Sequence, residues 1–135
     1  MREDHRILLV DDERLVRRSM EKTLLRAGFD VDTAEDTSAG LGLFNQALSE
    51  EEPFDIAILD LNMPDFEGRD DPEAGLKLLS KFLEVDSDLP VIVLTAFDDV
   101  NRAKEAVKRG ARAYLVKGRD AELLRMVDDI LDLTG

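Results

Sequence analysis

The stretch that decides the fold is Ile56-Ala57-Ile58-Leu59-Asp60-Leu61-Asn62-Met63-Pro64. Four apolar residues run directly into a carboxylate, and a proline closes the segment. Short, uninterrupted apolar runs are typical of strands buried on both faces, as in a parallel sheet covered by helices. Open α/β sheets bind ligands at the carboxyl ends of their strands, so the pattern predicts that Asp60 lies at a binding edge. Taken alone, Asp60 also fits an ordinary turn at a strand end.

Three further apolar runs end in polar residues. They are Ile7–Val10 followed by Asp11-Asp12, Val91–Leu94 followed by Thr95, and Ala113–Val116 followed by Lys117. If all four runs are parallel neighbours, three carboxylates, a hydroxyl and an ammonium meet at one edge of the sheet. Clustered carboxylates repel one another unless a cation lies among them, and oxygen ligands suit a hard divalent ion such as Mg²⁺.

Between these runs, apolar residues recur at helical spacing in five segments. A fifth strand is predicted from Phe29 to Ala34, where apolar and polar residues alternate as they do nearer the edge of a sheet. The first and third helices are predicted to begin at Glu13 and Gly75. The second, fourth and fifth are predicted to be capped by Asp36 or Thr37, by Asp98 or Asp99, and by Asp120. The fourth helix is predicted to bury Val100, Ala103 and Val107. Five strands alternating with five helices predict an α/β fold with a parallel sheet and helices on both faces.

Composition narrows the class of protein. The chain has 135 residues, a length typical of one domain, and a net charge of −13, which argues against a nucleic-acid or membrane surface. It contains no cysteine, which excludes disulfides and thiol chemistry. No apolar run approaches the roughly 20 residues of a membrane span, and the charged amino terminus is unlike a signal peptide. We therefore expect a single cytoplasmic domain over residues 1–135, without an output domain.

The motifs in this order resemble the receiver, or phosphoacceptor, domain of two-component response regulators. The residues that carry the resemblance are the pair Asp11-Asp12, Asp60 with Met63-Pro64 and Gly68, Thr95-Ala96, and Tyr114 three residues before Lys117. The resemblance covers residues 5–133. It implies a flavodoxin-like sheet in the order 2-1-3-4-5, flanked by five helices.

The resemblance also implies a phosphotransfer site. Asp60 would accept a phosphoryl group from the phosphohistidine of a histidine kinase or phosphotransfer protein, without turnover of a separate substrate. Lys117 and Thr95 would contact the phosphoryl oxygens. Mg²⁺ would be held by Asp11, Asp12, the Asp60 carboxylate and the backbone carbonyl of Asn62. The residues also allow plainer readings, because Asp11-Asp12 could cap the following helix.

A switch is implied as well. In receiver domains Tyr114 would move inward as Thr95 shifts towards the phosphoryl group. The responding surface would be the fourth helix, the fifth strand and the fifth helix. Through it the domain would control a partner, an output domain or a phosphorylation-dependent homodimer. Without the resemblance, Tyr114 would be a half-buried aromatic residue on an edge strand.

The chain departs from the receiver pattern at two places. Gly118 follows Lys117 where the family usually has proline, often after a cis bond, and a cis bond without proline costs roughly 2.5–4 kcal/mol. The Lys117–Gly118 bond is therefore either trans or part of a more mobile loop. The segment 69–75 is predicted to be an insertion before the third helix, either a solvated loop extension or an acidic flap beside the site.

Two other functions each conflict with particular residues of the sequence. Phosphatases of the haloacid dehalogenase family use a second aspartate two residues after the nucleophile as a general acid. Asn62 stands at that place and cannot transfer this proton. A phosphorylation-independent interaction module would be expected to lack the acidic pair or the lysine, and both are present.

Overall fold

Five parallel strands form the centre of the fold in the computed structural model, which describes residues 5–63, 67–69 and 71–132. Their spatial order is β2-β1-β3-β4-β5, as predicted. The strands are β1 (Arg6–Val10), β2 (Asp30–Ala34), β3 (Ile56–Asp60), β4 (Val91–Thr95) and β5 (Ala113–Val116). Pro64, Asp70 and Leu133, which belong to the predicted motif, insertion and domain end, lie outside the described residues.

Helices cover both faces of the sheet. They are α1 (Arg14–Arg26), α2 (Thr37–Ser49), α3 (Ala74–Val85), α4 (Val100–Lys108) and α5 (Asp120–Ile130). Helices α2, α3 and α4 bury their apolar residues on one face, and α1 and α5 on the other. In the ranges that the structure describes, no helix is long and apolar enough to cross a membrane. The predicted doubly wound α/β architecture is therefore confirmed.

The central strand explains why the sequence shows no alternation there. In β3, Ala57 and Leu59 pack on the side of α2, α3 and α4, whereas Ile56 and Ile58 pack on the side of α1 and α5. All five residues of β3 are buried. Since both faces of this strand meet helices, every position must be apolar until the strand reaches the edge of the sheet.

Strand register brings the polar residues to one edge. Val10 pairs with Leu59, Asp60 with Leu94, and Thr95 with Val116. Because Asp11 follows Val10 and Lys117 follows Val116, both lie at the carboxyl edge beside Asp60. The convergence expected from the sequence is therefore produced by the parallel register.

One predicted helix cap is confirmed, one is wrong, and one residue predicted to be buried is exposed. Asp36 caps α2 by accepting from the Ala39 amide at 2.7 Å, as predicted. Asp120 is the first residue of α5 and not its cap; its carboxylate accepts from the Ser19 hydroxyl of α1 at 2.6 Å. In α4 the buried residues are Ala103 and Ala106, whereas the expected Val107 is 38% exposed.

The third helix begins one residue earlier than predicted. Helix α3 begins at Ala74, so the last two residues of the segment 69–75 are helical. Gly75 lies within the first turn, where a Cβ atom would come within 2.7 Å of the Leu61 Cα and 2.9 Å of the Asp60 carbonyl oxygen. Glycine at this position therefore lets the start of α3 lie directly against the end of β3.

Candidate functional site

The carboxylate of Asp60 lies at the centre of the polar edge and is fully buried. Its Oδ2 accepts from the Lys117 Nζ at 2.7 Å, and its Oδ1 accepts from the Asn62 backbone amide at 2.9 Å. Lys117 Nζ also donates to Asp11 Oδ1 at 3.3 Å and to Glu13 Oε1. One ammonium thus joins three carboxylates, two from the loop between β1 and α1 and one from the last residue of β3.

Asp11 is the second fully buried carboxylate of the edge. Its Oδ1 accepts from the Glu13 backbone amide at 2.8 Å. Its Oδ2 is buried and has no hydrogen-bond partner among the described residues. A buried carboxylate oxygen without a partner is costly, so this atom marks a place where a bound cation would stabilise the protein.

Four acidic side chains form the candidate metal site. Asp11, Asp12, Glu13 and Asp60 each offer a carboxylate oxygen, and these oxygens all lie within 4.8 Å of one another. An all-oxygen donor set suits Mg²⁺, and Asp12 and Glu13 are exposed to water, which Mg²⁺ retains among its ligands. The donor set and the unpaired oxygen of Asp11 therefore fit the ion that the sequence led us to expect.

Burial dominates the electrostatics of the edge. It raises the pKa of Asp60 to about 8; the hydrogen bond from Lys117 opposes this rise and the Asp11 charge adds to it. Burial also raises the pKa of Asp11. Burial disfavours the charge of Lys117, but hydrogen bonds to Asp60 and Glu13 outweigh it and raise the pKa of the lysine. The ammonium is therefore held in its charged form beside the carboxylates.

Thr95 is fully buried at the end of β4. Its hydroxyl donates to the backbone carbonyl oxygens of Asp99, at 3.0 Å, and of Ala96, at 3.2 Å. Both acceptors belong to the loop and short 3₁₀ turn (Phe97–Asp99) before α4. The hydroxyl therefore has to exchange these partners to contact a group on Asp60.

Tyr114 is half-buried on the edge strand β5, opposite Val93. It packs against the apolar core beneath α2, α3 and α4. Its position on an edge strand agrees with both of the readings that the sequence allowed, a half-buried aromatic and a switch residue.

The loop after β5 shows the conformation of the Lys117–Gly118 peptide bond. The Lys117–Gly118 peptide bond is trans, and Gly118 has a positive φ of 90°, which favours glycine. The Lys117 backbone amide donates to the Thr95 carbonyl oxygen at 3.0 Å. The β4–β5 pairing thus continues one residue past β5 and positions Lys117 without a proline.

Two side chains at the edge were missed from the sequence. The pattern predicts Glu13 only as the start of a helix, although its place directly after Asp11-Asp12 is a signal for a further carboxylate. Arg102 of α4 donates to the Leu61 carbonyl oxygen at 3.1 Å and to the Asn62 Oδ1 at 2.8 Å. A surface arginine has no sequence signature of its own, so only the fold could reveal this contact.

Comparison with known proteins identifies the family. The fold and the polar edge define a doubly wound α/β domain whose site lies at the carboxyl ends of the strands. The family model for the response regulator receiver domain matches residues 7–128, and the chain therefore belongs to that family. It is a receiver domain of two-component systems, a class of phosphoacceptor and not a metabolic enzyme.

Curated relatives are longer than this chain. The response regulator protein FleR of Pseudomonas aeruginosa is 34% identical over 119 residues, which are 88% of this chain and 23% of FleR. The transcriptional regulatory protein PhoP of Escherichia coli is 36% identical over 112 residues, 83% of this chain and 45% of PhoP. The chain thus spans less than half the length of these relatives.

Solved structures share the fold over nearly the whole chain. The receiver domain protein of Methanospirillum hungatei is 27% identical, with a TM-score of 0.78 over 95% of this chain and 94% of that one. The response regulator TrrA of Thermotoga maritima was solved in complex with Mg²⁺ and BeF; it is 29% identical, with a TM-score of 0.74 over 94% and 98% of the two chains.

Proposed function

We propose that this domain accepts a phosphoryl group on Asp60. The observation that carries the proposal is the buried Asp60 carboxylate, held 2.7 Å from the Lys117 ammonium and beside an Asp11 oxygen without a partner. A carboxylate is a weak nucleophile, so the reaction depends on positioning and on neutralising the charge of the transferred oxygens. The edge supplies both.

The reaction balances with the residues present. A carboxylate oxygen of Asp60 attacks the phosphorus of a phosphohistidine, the P–N bond breaks, and its electron pair leaves with the imidazole, which takes up a proton. The product is an acyl phosphate on Asp60. Lys117 moves its hydrogen bond from the attacking carboxylate to a phosphoryl oxygen, and the Thr95 hydroxyl donates to another. Slow hydrolysis of the same acyl phosphate returns the domain to its starting state.

A divalent metal completes the proposed site. Asp11, Asp12, the Asp60 carboxylate and the backbone carbonyl of Asn62 would hold Mg²⁺, and the Glu13 carboxylate lies beside them. When bound, the ion supplies positive charge for the transferred oxygens. The TrrA complex with Mg²⁺ and BeF supports the choice of metal.

The proposal extends to partners and place. A histidine kinase or phosphotransfer protein donates the phosphoryl group, and the surface formed by α4, β5 and α5 passes the signal to a partner, an output domain or a second copy. The net charge of −13 disfavours direct nucleic-acid or membrane contact by this domain. We place the receiver over residues 1–135 with its core at 5–133, in the cytoplasm.

Intact-mass spectrometry tests the proposal. The protein is incubated with acetyl phosphate and Mg²⁺, alongside Asp60→Asn and the matched control Asp98→Asn, an exposed aspartate of the 3₁₀ turn. We expect one phosphoryl group on the wild type and on the control, and none on Asp60→Asn. Labelling of Asp60→Asn at the wild-type level would show that Asp60 is not the acceptor.

A further inference from the structure

Arg102 of α4 connects several parts of the site that are distant in sequence. Besides its bonds to Leu61 and Asn62, its guanidinium donates to the Asp99 Oδ2 at 2.6 Å and to the Pro72 carbonyl oxygen. Leu61 and Asn62 directly follow the acceptor Asp60, and Pro72 lies in the inserted segment before α3. One planar group therefore joins the first turn of α4 to both ends of the β3–α3 loop.

The same network reaches the switch residue of β4. Asp99, whose carboxylate is held by Arg102, offers its backbone carbonyl to the Thr95 hydroxyl at 3.0 Å. The carboxylate of Asp99 makes no capping bond to the start of α4, although the residue occupies the cap position. Asp99 therefore acts as a link between Arg102 and Thr95 and not as a helix cap.

We propose that Arg102 is a positioning residue that holds the unphosphorylated arrangement. Arg102 fixes Asp99 to the β3–α3 loop. The backbone carbonyl of Asp99 therefore stays in place to accept from the Thr95 hydroxyl, which holds that hydroxyl away from Asp60. Movement of Thr95 towards a phosphoryl group breaks its bond to Asp99 and releases one side of the network. This inference rests on the proposed function, because it assigns a regulator to the same site.

The weak packing of α4 allows the hydrogen bonds of Arg102, which we call the latch, to control the position of the helix. The helix buries only two alanines, so little apolar area holds it to the sheet. An isolated ion pair at the surface contributes little, but Arg102 also donates to two backbone carbonyls and a side-chain amide. A helix such as α4, which has few apolar contacts and one set of polar contacts, can shift when those polar contacts are lost.

Two variants remove the network from opposite ends. Arg102→Ala deletes the donor, and Asp99→Ala deletes the charged acceptor but keeps the backbone carbonyl that Thr95 uses. Lys104→Ala is the matched control, since it removes a positive charge from the same helix at an exposed position. Calorimetric titration with beryllofluoride in the presence of Mg²⁺ measures the affinity for a phosphoryl mimic. Hydrogen exchange of the free proteins measures protection of the amides over residues 99–104.

We expect both variants to bind beryllofluoride more tightly than the wild type, by about tenfold, the factor that corresponds to losing one charge-assisted hydrogen bond of the resting state. We also expect faster exchange over residues 99–104 in both, and neither effect in Lys104→Ala. General damage to the fold would speed exchange but would not raise affinity. Unchanged or weaker affinity in both variants would overturn the latch.

The design separates failure of the latch from failure of the proposed function. If the wild type binds no beryllofluoride and is not labelled by acetyl phosphate, the phosphoacceptor proposal fails. The latch is then decided by exchange in the free proteins alone: faster exchange confined to residues 99–104 in both variants supports the contact network as the restraint on α4, and wild-type exchange over those residues, or faster exchange throughout the chain, overturns it.

Discussion

The Lys117 ammonium lies 2.7 Å from the Oδ2 of Asp60, and both groups are withdrawn from water. The other oxygen of Asp60 accepts from the Asn62 amide. Both oxygens of Asp60 are therefore hydrogen-bonded in the resting protein, one to the lysine and one to the backbone. These two hydrogen bonds explain how a fully buried acidic group can be accommodated at this edge of the sheet.

The buried Asp60 should make stability depend on pH. Burial raises its pKa from 3.8 to about 8, so the native state keeps a proton that the unfolded chain has released. The contribution of Asp60 to stability is thus lost as pH rises from the unfolded value through the folded one. Without Mg²⁺, the thermal midpoint of Asp60→Asn minus that of the wild type should increase between about pH 5 and about pH 8. A difference that stays constant with pH would contradict the raised pKa.

Magnesium should stabilise the fold by relieving repulsion among the carboxylates. A ligand that binds only the native state stabilises it by an amount that grows with the logarithm of ligand concentration above the dissociation constant, so the melting temperature of the wild type should rise over a Mg²⁺ titration. Asp12→Ala should lose most of this shift because it removes an exposed carboxylate of the cluster. Asp98→Ala, which removes an exposed carboxylate from the turn before α4, should respond like the wild type. An equal shift in Asp12→Ala would argue against the metal site.

The contact between α3 and the end of β3 should be intolerant of a single added methyl group. Gly75→Ala would bring Cβ against the Leu61 backbone, and we expect a loss of about 1–3 kcal/mol in the free energy of unfolding. The matched control is Gly42→Ala in α2, where a Cβ would meet nothing within 4 Å. That change should stabilise the protein by about 0.5–1 kcal/mol, because alanine favours a helix over glycine. Denaturant unfolding of both variants checks the pair, and similar effects in the two would contradict the close approach.

The sequence predicted the fold and most of the edge for one physical reason. Each buried strand must be apolar throughout, so the first polar residue marks where the strand reaches the edge of the sheet. The parallel register then brings these polar residues together at one edge. This argument identified Asp11, Asp60, Thr95 and Lys117 from their positions alone. The direction of the chain and the lengths of the apolar runs were therefore enough to predict which residues lie at this edge.

What the sequence did not predict depends on side chains that reach across the fold. Arg102 bonds to a loop about forty residues earlier, and Asp120 was read as a cap although it bonds to α1. Val107 and Ala106 are adjacent in an amphipathic helix, and it is Ala106 that is buried. The spacing of apolar residues predicts the buried face of a helix to within one residue. The packing of α4 against β4 and β5 determines which residue is buried.

The α4–β5–α5 surface should respond to a phosphoryl mimic. Thr95 is bonded to the turn before α4, and Tyr114 lies on β5, so a shift of Thr95 should alter protection along α4 and β5. Hydrogen exchange with and without beryllofluoride and Mg²⁺ measures this, and α2, which lies beside β1 and β2, is the internal control. Changes confined to the surroundings of Asp60 and to residues 69–75 would make residues 69–75 the signalling surface instead.

The central claim is that Asp60 carries the phosphoryl group, and locating the acyl phosphate tests it most directly. Borohydride reduces an aspartyl phosphate to homoserine, so the protein is phosphorylated with acetyl phosphate and Mg²⁺, reduced, digested and sequenced by mass spectrometry. The account predicts homoserine at position 60 and unmodified aspartate at Asp11 and Asp12. Homoserine at either member of that pair, or a phosphorylated protein with no homoserine at all, would contradict it.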